Sequence, residues 1–144
     1  MSAPEPTAGN RILARARADL GTEDYPVAIR AGRHDLVADE PPALGGRDAG
    51  PAPYEYLLSG LGACTAITLR MYAKRKQWDL RLVHVDLRFV QSGKDSRIER
   101  SITVEGDLSD DQRARLADIA ERTPVTLTLK AGVTIETELR GTGT

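Results

Sequence analysis

The sequence predicts one α+β domain with an antiparallel sheet, built around a long buried helix and a second, amphipathic one. Three observations carry that expectation. Segments of alternating apolar and polar residues come in groups rather than taking turns with helices, as in antiparallel sheets. The stretch Pro53 to Lys76 has helical spacing and is apolar nearly all round, the mark of a core helix packed on several sides. Nothing repeats, and 144 residues are a length for a single domain that buries about two-thirds of its unfolded surface. Residues 1–10, rich in Pro, Ala and Gly, are expected as a loose tail, and residues 11–140 as the domain.

Taken in order, Arg11 to Leu20 alternates, with Ile12, Ala14, Ala16, Ala18 and Leu20 on one side, and predicts a modest strand. Tyr25 to Arg30 and Arg33 to Ala38 flank the Ala31-Gly32 turn as a hairpin. The connection Asp39 to Pro53 holds four prolines and three glycines, and a loop of that length points to a lid or a partner-contacting arm. In the main helix Tyr54, Leu57, Leu58, Leu61, Cys64, Thr65, Thr68, Met71 and Tyr72 form the apolar face. Pro53 suits a first helical position, and Arg70, Lys74, Arg75 and Lys76 favour the negative end of the helix dipole. Gly60 and Gly62 each cost about 1 kcal/mol against alanine inside a helix. Either a helix or a ligand approaches the backbone there, or the two glycines only let the helix pack tightly in its own core.

Beyond Asp79, a turn residue, Leu80 to Gln91 alternates, with Val83, Val85, Leu87 and Phe89 on one face and His84, Asp86 and Arg88 on the other. A polar connection with Gly93 leads to a second strand, Ile98 to Gly106, in which Arg100 interrupts the apolar face and is expected at the exposed edge. Ser109 and Gln112 make a capping box for the second helix, which buries Leu116, Ile119 and Ala120. Thr123-Pro124 ends that helix, and Val125 to Leu129 and Val133 to Leu139 are expected to be extended.

Composition excludes several classes of function. A net charge of −1 gives no footprint for nucleic acid or for an acidic membrane surface. The longest apolar run is far too short to span a bilayer, and the N-terminus has no hydrophobic signal segment, so the expected location is cytoplasmic. One cysteine cannot form an internal disulfide, and His34 and His84 are too far apart in sequence to suggest a metal site; neither a metal nor a cofactor is expected. Only 4% of residues are aromatic, which favours a core shared in part with a second subunit.

Cys64 is the candidate reactive group. A cysteine reacts as thiolate, and lies here three turns into its helix, beyond the reach of that helix's own dipole, so activation must come from elsewhere in the fold. Arg15, Arg17, Arg30 and Arg33 are the candidate cations. The competing reading is a cysteine that fills space, as free cysteines often do. His84 is read as a surface or hydrogen-bonded histidine, His34 with Asp35 as a polar pair beside a turn, and Arg15 with Arg17 as a solvated strand face.

The run GGRDAGPAPYEYLLSGLGACTAITLRMYAKRK, Gly45 to Lys76, resembles the core motif of the OsmC/Ohr family of osmotically inducible and organic-hydroperoxide-resistance proteins. Asp39 to Pro41 (DEP), Val83 to Leu87 (VHVDL), the EGDLS-capped helix and Arg122 to Val125 (RTPV) extend the likeness from about Tyr25 to Leu139. The GPxPYE helix start places it nearer the OsmC-like branch than the peroxidase branches. The resemblance implies an α+β intertwined homodimer with two central helices at its middle and thiol sites at the subunit interface. It also implies that Cys64 is the peroxidatic cysteine, which attacks an organic hydroperoxide, becomes a sulfenic acid and is resolved by a thiol. The family's second cysteine position is Thr123 here, so the implied partner is an external thiol reductant. The peroxidase branches' glutamate position is Tyr54, and Glu55 lies on the opposite side of the helix from Cys64 at about 100° per residue. The expected function is therefore a thiol-dependent hydroperoxide reductase of oxidative-stress defence. The alternative is a non-catalytic dimeric module that binds a small molecule, with Cys64 as a packing residue.

Overall fold

The computed structural model describes residues 9–142. The tail expected over residues 1–10 lies outside them except for Gly9 and Asn10, as do residues 143 and 144. The chain divides after Tyr56 into two compact units.

In the first unit, β1 (Ala16–Leu20), β2 (Val27–Ala31) and β3 (His34–Ala38) form an antiparallel sheet in that order. The hairpin turns at Gly32, whose φ of 60° suits a residue without Cβ, and pairs Ala31 with His34. The first strand is shorter than its alternation predicts: residues 11–15 lie outside it, although the Arg15 carbonyl accepts from Gly32 N–H at 3.0 Å, and Ile12 and Leu13 are exposed. The loop after β3 is gathered onto one buried carboxylate. Asp39 accepts hydrogen bonds from the backbone N–H of Glu40 (2.7 Å), Arg47 (3.1 Å) and Ala49 (3.1 Å). Gly46 is needed there, because a Cβ would stand 1.9 Å from the Glu40 carbonyl oxygen. Burial works against the charge on Asp39, but the three N–H donors and the Arg47 cation together hold its carboxyl below the usual range.

The long helix α1 (Pro53–Lys76) has the bounds its sequence predicts. It buries Leu61, Thr65, Leu69 and Ala73, one stripe at intervals of a helical turn, while Gly60, Ala63, Ile67 and Met71 are exposed in the single chain. Tyr54, Leu57 and Met71, expected on the apolar face, are exposed as well. The helix ends at Gln77, a non-glycine residue held at a φ of 62°.

In the second unit, β4 (Asp79–Ser92) and β5 (Asp95–Asp107) make a long antiparallel hairpin. Its inward positions Val83, Ile102 and Val104 pack on a core of Leu69, Ala73, Leu80, Leu116 and Ala120. Leu69 and Leu116 are each 1% exposed, and burial of a leucine contributes about 1.5–3 kcal/mol. Gly62 is where this hairpin comes close, for a Cβ there would be 2.9 Å from Leu87 Cδ1, whereas a Cβ on Gly60 would meet open space. Helix α2 (Asp110–Ala120) starts with the predicted capping box: Ser109 Oγ accepts from Gln112 N–H, and Gln112 Oε1 accepts from Ser109 N–H.

Two expectations fail in this unit. Val125 to Leu129 is not extended but lies within a helix, α3 (Pro124–Ala131). Thr123-Pro124 does end α2, but it also begins α3: Thr123 caps the new helix and Pro124 takes its first position, where no N–H is required. Arg100 is not at an exposed edge. Its side chain is only 11% exposed and turns inward, because buried oxygens on three helices accept its protons. Val133 to Leu139 has no partner strand among the described residues, and Val133, Ile135 and Leu139 are exposed.

Candidate functional site

Cys64 is half-buried on α1, and two groups approach its sulfur. Thr68 Oγ1, one turn on, lies 4.0 Å away. The backbone N–H of Val125 donates to Sγ at 3.5 Å. Val125 is the second residue of α3, so this N–H is one of the helix-start donors that have no partner within their own helix. The thiol therefore sits at the N-terminus of a helix other than the one that carries it. Such a donor, at the positive end of a helix, stabilises negative charge brought to it.

Beneath this contact runs a buried polar network. Arg100 Nη1 donates to Thr65 Oγ1 (2.9 Å) and Thr126 Oγ1 (2.8 Å), and Nη2 donates to the Ala120 carbonyl (2.9 Å). Thr65 passes its own proton to Leu61 O at 2.7 Å, and the Thr123 and Thr126 hydroxyls lie 2.6 Å apart. Thr65 and Thr123 are fully buried, so unpaired they would be costly; here each hydroxyl has partners. At the position where the resemblance puts a second cysteine, the structure thus holds a capping hydroxyl.

Next to the network is a cavity of about 620 Å³. Leu57, Leu61, Phe89, Ile98 and Leu129 give it apolar walls, and Arg97, Arg100, Glu121 and Lys130 give it charge. The Lys130 ammonium, 2.8 Å from Glu121, holds that carboxyl below the usual range against the effect of its partial burial.

The other candidate side chains have surroundings of their own. Arg17 pairs with Asp19 and Arg30 with Asp35 on the N-terminal sheet, where Arg15 and Arg33 are also exposed. His34 is exposed opposite Ala31, and His84 is exposed opposite Thr103. Tyr54 is exposed, and Glu55 accepts from Ala52 N–H at the helix start. No group of potential metal ligands occurs among the described residues. Sequence reasoning missed Arg100 and Val125. The signal for Arg100 was available, since it is the one charged side chain at an inward position of β5.

Comparison with known proteins bears on what this arrangement is. The family model described as OsmC-like protein matches residues 45–138, well over half of the chain. The chain belongs to the OsmC-like family. Solved structures share the fold of this OsmC-like chain. An OsmC-like protein from Mycoplasma pneumoniae superposes with a TM-score of 0.70 at 20% identity, over 81% of this chain and 86% of that one. The organic hydroperoxide resistance protein OsmC from Legionella pneumophila, also described as a predicted redox protein, gives 0.62 at 18% identity over 83% and 90%. OhrB, the organic hydroperoxide resistance protein of Bacillus subtilis, gives 0.59 at 21% identity over 90% and 98%. No curated protein sequence matches the chain. The α+β class with antiparallel sheets is as the sequence predicts, and no described helix is long and apolar enough to cross a membrane.

Proposed function

We propose that this OsmC-like protein is a cytoplasmic, single-cysteine reductase of organic hydroperoxides that uses an external thiol and acts in oxidative-stress defence. The observation that carries the reading is the Val125 N–H aimed at Cys64 Sγ from the start of α3. In the reaction the Cys64 thiolate attacks the outer oxygen of ROOH, the O–O bond breaks, and the leaving alkoxide takes a proton to become ROH. Cys64 is oxidised to a sulfenic acid. With Thr123 in place of a second cysteine, an external thiol attacks that sulfenic sulfur, and water leaves with the thiol's proton as a mixed disulfide forms. A second external thiol releases Cys64 and carries away the disulfide. Val125 N–H offsets charge on sulfur as it attacks and as it leaves.

The reading includes a homodimer. Its support is the apolar surface a single chain leaves open: Gly60, Ala63, Ile67 and Met71 along α1, and the unpaired alternation of Val133, Ile135 and Leu139. The second reading, a small-molecule-binding module, draws on the cavity of about 620 Å³ beside the Arg100 network.

The test is intact mass and free-thiol titration after one equivalent of an organic hydroperoxide such as cumene hydroperoxide. The expected result is loss of the Cys64 thiol with a gain of one oxygen, then a mixed disulfide when a small thiol is added. Cys64→Ser should lower hydroperoxide turnover by at least about a hundredfold, as removal of a reacting nucleophile does. A Cys64 that stays reduced while a free control thiol is consumed leaves the binding module as the surviving reading.

A further inference from the structure

The Arg100 fork spans three elements, and its three acceptors are not scattered. Thr65 is the residue after Cys64 on α1, Thr126 is the residue after Val125 on α3, and Ala120 O is at the end of α2. The N–H···S contact joins Cys64 to Val125. Thus one guanidinium ties together the immediate neighbours of both partners in that contact. Geometry makes the arrangement specific to arginine. Nη1 supplies protons to two hydroxyls on different helices while Nη2 reaches a carbonyl on a third, which a single ammonium on a flexible stem does not reproduce.

α3 needs such a tie. It has eight residues, too few for a helix to persist on its own propensity, and of its residues only Thr126 is buried. Arg100 holds that side chain, and Thr126 in turn meets the capping Thr123 hydroxyl at 2.6 Å. The start of α3 is therefore located on α1 through Arg100, not through apolar packing alone.

We propose that Arg100 is a positioning residue that sets the Val125 N–H on the Cys64 sulfur. The inference rests on the reading of Cys64 as the reacting thiol and goes beyond it by naming what aims the donor. Arg100 makes no described hydrogen bond to sulfur itself; it acts through the helix start.

The experiment is nuclear magnetic resonance of the labelled full chain, with Cys64 free or methylthiolated by methyl methanethiosulfonate, which puts CH3S on sulfur and releases methanesulfinate. In the wild type the Val125 amide should shift on methylthiolation and exchange slowly. In Arg100→Met its hydrogen exchange should be about tenfold faster, the equivalent of one net hydrogen bond, and the shift on methylthiolation should collapse. Arg100→Lys should resemble Arg100→Met, because the charge remains and the fork is lost. The double variant Thr65→Val, Thr126→Val keeps Arg100 and removes two acceptors, and it should give the same loss; it decides the matter should Arg100→Met not fold. Val125 behaving as in the wild type in a folded Arg100→Met or in the double variant overturns the proposal, as does a wild-type Val125 amide indifferent to methylthiolation. Wild-type behaviour in Arg100→Lys overturns it too, by making charge alone sufficient. Cumene hydroperoxide separates the two readings. A wild-type Cys64 inert to it with Val125 responsive to Arg100 removes the reductase and keeps the positioning role; the opposite pair of results does the reverse.

Discussion

Asp39 and Arg100 are charged side chains withdrawn from water, Asp39 held by N–H groups of its own loop and Arg100 by groups distant in sequence. Asp39 gathers three backbone N–H groups from its own loop, and its carboxyl is held below the usual range despite burial. A depressed carboxyl contributes stability that is present above the unfolded-state value of about 3.9 and is lost as pH falls through the lower folded-state value. Asp39→Asn should therefore be less stable than the wild type at pH 7, and the gap should close as pH falls below about 4, read as urea midpoints across a pH series. Arg100 was visible as an inward charge on β5, but its acceptors lie 35, 26 and 20 residues away in sequence. Only the packing of three helices brings them to it, so the sequence offered the oddity without its solution.

At the scale of elements, α1 and the start of α2 are written locally and were legible. Pro53, the basic last turn and the capping box of Ser109 with Gln112 act within a few residues of themselves. α3 was not legible, because Val125-Thr126-Leu127-Thr128-Leu129 alternates like a strand and is rich in β-branched residues. Its caps, Thr123 before Pro124 and Gly132 after Ala131, were the better evidence. The end of α1 supports a further prediction. Gln77 is held at a φ of 62°, where a Cβ is strained and glycine is not. Gln77→Gly should raise unfolding free energy by about 0.5–1 kcal/mol, measured by urea denaturation.

At the scale of the molecule, the α+β class was readable from grouped strands, and the family likeness reached most of the chain. What the periodicity of α1 could not say is which apolar residues the single chain would cover. Leu61 and Leu69 are buried, while Ile67 and Met71 are each 57% exposed. Under the proposed homodimer, Ile67→Glu puts a charge on that open stripe. It should weaken association by about 2–4 kcal/mol, roughly thirtyfold to a thousandfold, seen as a shift from dimer to monomer in sedimentation. The isolated fold should be little affected, since the position is half open to water already. A wild type that sediments as a monomer at micromolar concentration would remove the dimer.

The thiol's donor belongs to a helix of eight residues with little apolar anchoring of its own. Segments of that kind open at a lower free energy than the surrounding core. Cys64 is then a built-in gauge of that opening. Its labelling rate against dilute denaturant would report the separate melting of the helix start, well before the leucine core around Leu69 and Leu116 gives way.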